Sequence, residues 1–423
     1  MTEYFNSIFI NDGPNVDAFS RLRVSNPFTF FSGMATYGHN IYFWDKKTDG
    51  TNGTVTEIAN QSSIRLSTGG TASGNYAIRQ THSYIPYIPG KSQLTIAAFC
   101  MGVPQTNSHT RIGYFDENNG IFLERGGSTG NVVKVVQRTY TSGSISDANF
   151  ATQANWNIDP MNGSGPSGVT LDFTKTQILL IDFQWLGVGR VRVGFVVNGI
   201  PYYVHQFLNT NSTMNTVYMQ TPMLPMRFEV WNDATSTGTL TCDTYCATVI
   251  SEGLQEPMFA CQFSASNGYT PVTLTNAGTM YCLLGLRPAT SFTTPLNSLS
   301  VTNRAIIEPT SFTIANTGTG TIYYEFRLNP TVTGTALSWG SVNSNSMAQA
   351  AIGTNATTIS GGTLLQSGYC TAGLTVGGQD PVYQTLGLVY ADLTGVQDTM
   401  TISATGTAGG CTAVAALNWE EVY

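Results

Sequence analysis

The most regular pattern of hydrophobic and polar positions lies in residues 176–206, TQILLIDFQWLGVGRVRVGFVVNGIPYYVHQ. Apolar and polar residues alternate there in three runs, and glycine separates the runs. Because successive side chains of a β-strand point to opposite faces of the sheet, this period of two predicts strands. Asn198-Gly199, which stands between two apolar runs, is a strong signal for a hairpin turn. The stretch therefore predicts three antiparallel strands.

The turns also predict a register for these strands. The Asn-Gly turn sets one hairpin, and a three-residue loop at 186–188 followed by Gly189 sets the other. A loop of two or four residues would mix the apolar and polar faces, so the odd length is favoured. The expected pairs are Val197–Ile200, Phe195–Tyr202, Val193–Val204, Arg192–His205, Asp182–Arg192 and Ile181–Val193.

This register places Asp182, Arg192 and His205 in one row on the face opposite the apolar one. Opposite charges paired across strands stabilise a sheet by roughly 0.2–1 kcal/mol each, which is sufficient reason for such a row. The row could instead bind a sugar or orient a catalytic group, but no nucleophile or second carboxylate stands beside it in sequence. We expect the row to be solvated or to lie in an interface, and Arg192→Ala to cost at most about 1 kcal/mol.

Similar short runs continue along the chain, separated by turn signals such as Asn119-Gly120 and Asn162-Gly163. Several short strands with frequent turns are typical of sandwiches or barrels. We predict an all-β chain with two antiparallel β-sandwich domains, jelly-roll or lectin-like in arrangement. The strand-like runs lie at 92–102, 120–126, 131–140, 178–185, 190–197, 201–207, 226–232, 279–287, 321–329 and 385–393.

The composition supports this class and suggests a division of the chain. Charged residues make up 10% and aromatic residues 11% of the 423 residues, with 44 glycines. The second half is richer in Thr, Gly, Ser and Ala than the first. We therefore expect an extended N-terminal docking segment over 1–30, a β-sandwich domain over 31–255 and a Thr/Gly-rich second β-sandwich domain over 256–423.

Charge and cysteine content exclude several classes of function. The net charge of -7 and the lack of a basic stripe argue against binding to nucleic acid. No apolar run approaches the length of about 20 residues that spans a bilayer, and the N-terminus does not resemble a signal peptide. The seven scattered cysteines give no disulfide framework, and Cys242 and Cys246 lack the partners of a zinc site. We expect the chain to be made and assembled in a reducing cytosol.

Three segments raise the question of a site. The oxygen-rich YFDENNGIFLE (114–124) could hold calcium but is explained by a hairpin turn. The loop 155–172 carries Trp156, which could bind a sugar or plug one end of the sandwich. Arg227 and Glu229 alternate in MRFEV and are expected to pair on one face. The carboxylates considered for glycoside hydrolysis, of which no pair stands out, are Asp116, Glu124, Asp159, Asp182 and Glu229.

No other catalytic pattern is evident. The four histidines, His39, His82, His109 and His205, show neither metal spacing nor the context of a catalytic triad. No glycine-rich loop is followed by the Gly-Lys-Ser/Thr that cradles a phosphate. We therefore expect no enzyme, no catalytic or metal-binding residues and no cofactor.

Several stretches resemble one recurrent family of virion structural proteins in tailed bacteriophages. The resemblance is densest over 111–253, where QWLGVGRVRVGFVVNG (184–199) is long and specific, and it extends over roughly 17–255. It includes DAFSRLRVSNPFTFF (17–31), RIGYFDENNGIFLER (111–125), VYMQTPMLPMRFEV (217–230) and CATVISEG (246–253). FRLNPTVTG (326–334) resembles the same proteins more weakly.

The resemblance implies a component of the virion: a head decoration, a head fibre or a tail-associated protein. It implies contacts with the major capsid protein or other virion proteins and a homo-oligomer, with a trimer as one option. The alternative is a tail or head adhesin that binds host surface glycans, and a depolymerising enzyme ranks last. Neither nucleic acid nor membrane insertion is expected.

Overall fold

The computed structural model describes residues 15–212, 215–253, 261–293, 300–379 and 391–422. The chain divides into two compact units, Met1–Pro257 and Met258–Tyr423. The regular elements of the described residues are β-strands and two 3-10 helices, so the all-β prediction is confirmed. Residues 1–14 of the predicted N-terminal segment, residues 254–260 around the predicted boundary and most of the predicted strand 385–393 lie outside the described residues.

The first unit contains fifteen described strands, with 3-10 helices at Ala59–Gln61 and Gln153–Asn155. The strands are β1 (Phe28–Met34), β2 (Trp44–Thr48), β3 (Thr54–Ile58), β4 (Ser63–Ser67), β5 (Tyr76–Thr81), β6 (Gln93–Met101), β7 (Ser108–Phe115), β8 (Gly120–Gly126), β9 (Val132–Thr139), β10 (Ser146–Thr152), β11 (Gln177–Phe183), β12 (Val191–Val197), β13 (Ile200–Phe207), β14 (Met226–Asn232) and β15 (Thr241–Ser251).

These strands form two antiparallel sheets. The first sheet has the order β13-β12-β11-β6-β15-β4-β3, with β1 also pairing with β15, and the second sheet has the order β10-β9-β8-β7-β14-β5-β2. Apolar side chains of both sheets meet in one buried core, which includes Phe99 and Phe183 from the first sheet and Tyr114 and Phe228 from the second. The unit is therefore a β-sandwich, as predicted.

The second unit is also built from antiparallel sheets around a buried apolar core. Its core includes Leu283, Phe312, Phe326 and Trp419. One sheet has the order β16-β30-β21-β28, with β17 on β30, and another has the order β23-β26-β18-β29-β22-β27, with β25 on β18 and β24 on β25; β19 and β20 form a separate ribbon. The strands are β16 (Cys261–Ser266), β17 (Val272–Leu274), β18 (Tyr281–Pro288), β19 (Ser291–Thr293), β20 (Ser300–Thr302), β21 (Ile306–Asn316), β22 (Thr321–Leu328), β23 (Thr331–Gly334), β24 (Gly340–Ser341), β25 (Ala348–Ile352), β26 (Thr357–Ser360), β27 (Thr363–Thr371), β28 (Thr375–Gln379), β29 (Met400–Gly406) and β30 (Cys411–Val422).

The predicted register is correct between β11 and β12 and for the pairs of β12 and β13 next to their turn. It is wrong for the pairs of β12 and β13 farther from that turn. Asp182 lies opposite Arg192, and the Asn198-Gly199 turn, with φ of 51° and 80°, pairs Val197 with Ile200. A β-bulge on β13 then inserts one extra residue, so Val193 lies opposite His205 instead of Val204. Arg192 consequently lies opposite Gln206, and His205 leaves the predicted row.

Candidate functional site

The predicted row of charges on the first sheet is not solvated. Asp182 and Arg192 are both 0% exposed, and they form an ion pair across β11 and β12. Tyr203, rather than His205, supplies the third strand's contact, because its hydroxyl donates to Asp182 Oδ2 at 3.0 Å. The expectation of a wet face is therefore wrong.

The row is covered by residues 15–23, which we name the strap. Its Val16 carbonyl accepts a hydrogen bond from Arg192 Nη2 at 2.7 Å, and Arg23 Nη2 lies 2.6 Å from Asp182 Oδ2. Arg23 also pairs with Glu252 at the end of β15. Part of the predicted N-terminal docking segment is thus bound to its own sheet, where it neutralises and buries the row.

The outward face of the second sheet, which we name the polar face, carries a second charged row. Main-chain pairing places Glu229 of β14 opposite Arg111 of β7, Arg111 opposite Glu124 of β8, and Glu124 opposite Lys134 of β9. Because the neighbours of these residues along each strand, such as Phe228 and Leu123, lie in the core, alternation turns the charged side chains outward.

The charges in this row alternate in sign and are closely paired. Arg111 Nε lies 2.6 Å from Glu124 Oε2, and Arg111 Nη1 lies 3.2 Å from Glu229 Oε1. Lys134 Nζ lies 3.1 Å from Glu124 Oε1, and Arg227 Nε lies 2.8 Å from Glu229 Oε2. The predicted pairing of Arg227 with Glu229 is confirmed. Each carboxylate therefore has two or more cationic partners.

Aromatic rings lie beneath and beside these charges. Phe115, Phe122 and Val136 form a small buried cluster of their own, and the Arg111 guanidinium lies 5.0 Å from the Phe122 ring centroid. The Trp231 ring stacks on His109 with centroids 4.4 Å apart, and Arg111 lies 4.0 Å from the Trp231 centroid. Contacts between cations and aromatic rings of this kind hold both groups in place.

A cleft of about 350 Å³ opens on the polar face beside Trp231. Trp231 and Tyr76, which are paired across β14 and β5, line it together with the carboxylate-bearing Glu229 and Glu117 and with Lys47. The cleft thus combines two aromatic rings with hydrogen-bond acceptors, the two carboxylates, and a hydrogen-bond donor, the lysine ammonium group. This combination suits a polyhydroxylated ligand, whose C–H faces stack on rings and whose hydroxyls exchange hydrogen bonds.

The electrostatics of the polar face keep the Glu124 carboxyl group ionised. Burial tends to raise the pKa of Glu124, but its hydrogen bond with His109 and the charges of Arg111 and Lys134 lower that pKa overall to well below its ordinary value. The general acid of a glycosidase needs a raised pKa. Glu124 is therefore held ionised, and Glu229 accepts from two arginines.

The remaining candidate residues have structural roles. Asp116 accepts hydrogen bonds from the backbone N–H groups of Asn118 and Asn119 at 2.8 and 2.7 Å, which confirms the interpretation of this segment as a hairpin turn. Asp159 accepts from the N–H groups of Met161 and Ser167, both at 2.8 Å. Of the described residues, no group of three or more His, Cys, Asp or Glu side chains is arranged to hold a metal ion.

Trp156 is a buried plug and not an exposed sugar platform. It is 5% exposed, its Nε1 donates to the Ala151 carbonyl at 3.2 Å, and its ring stacks near Phe195 at 6.1 Å between centroids. His205 accepts from the backbone N–H of Asn157 at 3.3 Å in the same region. The glycan hypothesis therefore loses the exposed Trp156 ring on which it was based.

The charged row of the polar face could not be predicted from the sequence, because its residues become neighbours only when the strands pair. The alternation of MRFEVWN puts Arg227, Glu229 and Trp231 on one face, and this much could be inferred from the sequence. Which strand lies beside β14 could not. β7, which supplies Arg111 and His109, is more than a hundred residues away along the chain.

Exposed apolar side chains are concentrated near the start of the chain. Nine of the twenty-five exposed large apolar residues in the described ranges fall within residues 19–43, which we name the apolar segment. Tyr37 is 92%, Val24 85%, Ile41 68% and Met34 60% exposed. The segment is fixed to the sandwich, because β1 pairs with β15 and Ala35 N–H donates to the Tyr245 carbonyl at 2.9 Å.

The chain matches no protein-family model and no curated protein. Solved structures that align with part of this chain include a legume lectin-like domain from Entamoeba histolytica, at 10% identity and a TM-score of 0.29, covering 49% of this chain and 89% of that one. The CBM2 module of the evolved Dit of Lactobacillus casei BL23 phage J-1 aligns at 4% identity and a TM-score of 0.33, covering 55% and 99%. The Crh5 transglycosylase aligns at 14% identity and a TM-score of 0.34, covering 55% and 88%. At these values the similarity identifies neither a family nor a function.

Proposed function

We propose that this protein is a structural component of a bacteriophage virion, a decoration or fibre protein of the capsid, that contacts its neighbours through the apolar segment. The observation that carries the proposal is the concentration of exposed apolar side chains on residues 19–43. Exposed apolar side chains that are concentrated in one segment of a folded protein are typical of a protein-binding surface. The resemblance of 17–31 to phage virion proteins supports the same role.

Incorporation into particles tests this function. A tagged copy is supplied in trans to a phage that lacks the gene, and the protein in purified particles is quantified by mass spectrometry. We expect the wild-type chain to be incorporated and the double variant Tyr37→Ser/Ile41→Ser to be reduced at least ten-fold, because the exposed rings and methyl groups no longer supply the contact. Tyr269→Ser, at a residue that is 103% exposed in the second unit, is the matched control and should be incorporated normally.

Absence of the wild-type chain from purified particles would contradict the virion role itself. Normal incorporation of Tyr37→Ser/Ile41→Ser would contradict the assignment of the contact to the apolar segment. Thermal unfolding of each variant checks that the fold is intact, which we expect because the replaced side chains are exposed.

The cleft on the polar face supports a second function, the binding of host surface glycans. The observation that favours it is the pairing of Trp231 with Tyr76 beside Glu229 and Lys47 in one cleft. Host polysaccharides immobilised on a glycan array are the probe. Trp231→Ala should abolish binding of any glycan that the wild-type chain retains, whereas Trp339→Ala in the second unit should not. Equal binding by both variants would remove the cleft from consideration.

A further inference from the structure

A second cavity in the first unit lies on the opposite side of β8 from the charged row. Glu124 points to the polar face, and the next residue, Arg125, therefore points to the other side of the sheet. There Arg125 lines a pocket of about 260 Å³, which is formed by the β8–β9 turn, the end of β6 and the loop before β11. The pocket is lined by Pro104, Arg125, Asn131, Val133, Gln153, Leu171, Asp172, Phe173 and Thr174.

The guanidinium of Arg125 has no ion-pair partner in the described chain. Burial lowers its pKa, and the Asp172 carboxylate raises that pKa only by a longer-range interaction. Arg125 is 2% exposed, and its hydrogen bond within the described residues goes to a neutral acceptor, the Gly102 carbonyl. No carboxylate of the described chain lies at ion-pair distance from it. Asp172, the acidic residue that lines the pocket, is exposed, and its Oδ1 already accepts from the N–H and hydroxyl of Thr174 at 2.9 and 2.6 Å. Two other buried arginines of this sandwich, Arg192 and Arg227, have carboxylate partners. Arg79 has none among the described residues either, but its guanidinium lies against the Trp44 ring in the core.

A buried cation without a direct ion-pair partner is costly, and a ligand can supply that partner. We propose that this pocket binds a small oxyanion, a carboxylate or a phosphate, with Arg125 as the charged partner. A planar guanidinium matches both groups, because it donates two parallel hydrogen bonds to them. Asn131 at the rim adds an amide donor.

The dimensions and the surroundings restrict the ligand further. The volume lies below the range of about 300–1,000 Å³ that is typical of pockets for drug-sized molecules, so the ligand is a single small acid or one acidic unit at the end of a chain. The apolar side chains of Phe173, Val133 and Leu171 provide a surface for its carbon skeleton. Burial also lowers the pKa of Arg125, which agrees with a desolvated guanidinium.

Isothermal titration of the full chain at low salt tests the pocket with three probes: glucuronate, glucose and inorganic phosphate. Glucuronate and glucose differ only in the carboxylate at C6, so binding of glucuronate but not of glucose identifies a carboxylate ligand. Binding of phosphate but not of glucuronate identifies a phosphate ligand. Either result supports the oxyanion site, whereas no heat with both anions, or equal binding of glucose, overturns it.

Two variants test the location of the site, and two others serve as controls. Asn131→Asp adds a carboxylate at an exposed rim position, so it should weaken anion binding at least ten-fold without disturbing the fold. Asn60→Asp makes the same change at an exposed residue elsewhere in this unit and should leave binding within two-fold of wild type. Arg125→Gln, checked for folding by circular dichroism, should abolish binding. Unchanged affinity in Asn131→Asp would overturn the assignment, and Trp231→Ala, which tests the cleft, should leave anion binding unchanged.

Discussion

Asp182 and Arg192 lie directly opposite each other on β11 and β12, and their ion pair is completely buried beneath the strap. The carboxylate also accepts from Ser92 Oγ at 3.0 Å and from the Tyr203 hydroxyl at 3.0 Å. Each oxygen of Asp182 therefore has partners, and the pair is part of a network that joins the strap to the sheet.

Arg192→Ala should destabilise the fold far more than a surface pair would. The substitution leaves the Asp182 carboxylate buried with fewer partners, so we expect a loss of about 3–5 kcal/mol in the free energy of unfolding. Urea unfolding measures the loss. Arg65→Ala is the matched control, because Arg65 pairs with Asp243 across β4 and β15 but is 39% exposed, and its loss should not exceed about 1 kcal/mol. Equal losses of unfolding free energy in the two variants would mean that burial of the ion pair does not determine how much it stabilises the fold.

Arg79 should be replaceable by a methionine without loss of stability. It lies 1% exposed, its Nε and Nη2 have no acceptor in the described part of the structure, and burial lowers its pKa to about 9. Methionine removes the desolvation cost and keeps much of the volume beside Trp44. We therefore expect Arg79→Met to leave the free energy of unfolding unchanged or to raise it.

Arg227→Met is the control for this prediction. Arg227 is also buried on the second sheet, but it pairs with Glu229, so its replacement should destabilise by about 2 kcal/mol or more. A comparable loss for Arg79→Met, measured by the same urea unfolding, would show that the contacts of Arg79 with Trp44 and Thr244 outweigh its desolvation.

Stability should fall as the pH is lowered from about 6.5 towards 4. Burial, helped by the charges of Arg79 and Lys46, lowers the pKa of His39 to about 4, and burial lowers the pKa of His205 to about 4. Between these values and the ordinary pKa of 6.5, the unfolded chain binds more protons than the folded chain. The native state therefore loses stability in this window. The depressed pKa of Glu124 adds to the loss only as the pH approaches the ordinary glutamate value of 4.5.

The free energy of unfolding as a function of pH measures this effect. The double variant His39→Gln/His205→Gln should show a flatter profile between pH 6.5 and 5 than the wild-type chain. An identical slope in both proteins would assign the pH dependence to other groups.

Glu308→Gln should stabilise the second unit at neutral pH. Glu308 lies opposite Glu420 across β21 and β30, and burial together with that carboxylate raises the pKa of Glu308. A raised carboxyl pKa means that stability is lost as the pH rises through it, so removal of the charge should gain roughly 0.2–1 kcal/mol at pH 7 and little at pH 4. Thermal unfolding at the two pH values measures the gain. Glu325→Gln, which removes the partner of Arg327, should lose stability at pH 7 instead.

The alternation of apolar and polar residues predicted the strands well, because this alternation depends only on residues that are neighbours in the sequence. The run MRFEVWN became β14 with the predicted bounds, and GIFLERG became β8. Asn198-Gly199 set the hairpin because both residues tolerate a positive φ. The bulge at Val204 carries no such local signal, and one extra residue was enough to remove His205 from its predicted row.

The sequence by itself determined the all-β class, the main strands of the first unit and the pairs Asp182–Arg192 and Arg227–Glu229, since each depends on alternation and short turns. Only the tertiary structure decided which faces of the sheets are exposed to solvent. The strap buries Asp182 from about 160 residues away, and β7 brings Arg111 between Glu124 and Glu229. Burial depends on contacts between distant segments, and a period of two along one strand distinguishes its two faces without saying what covers either of them.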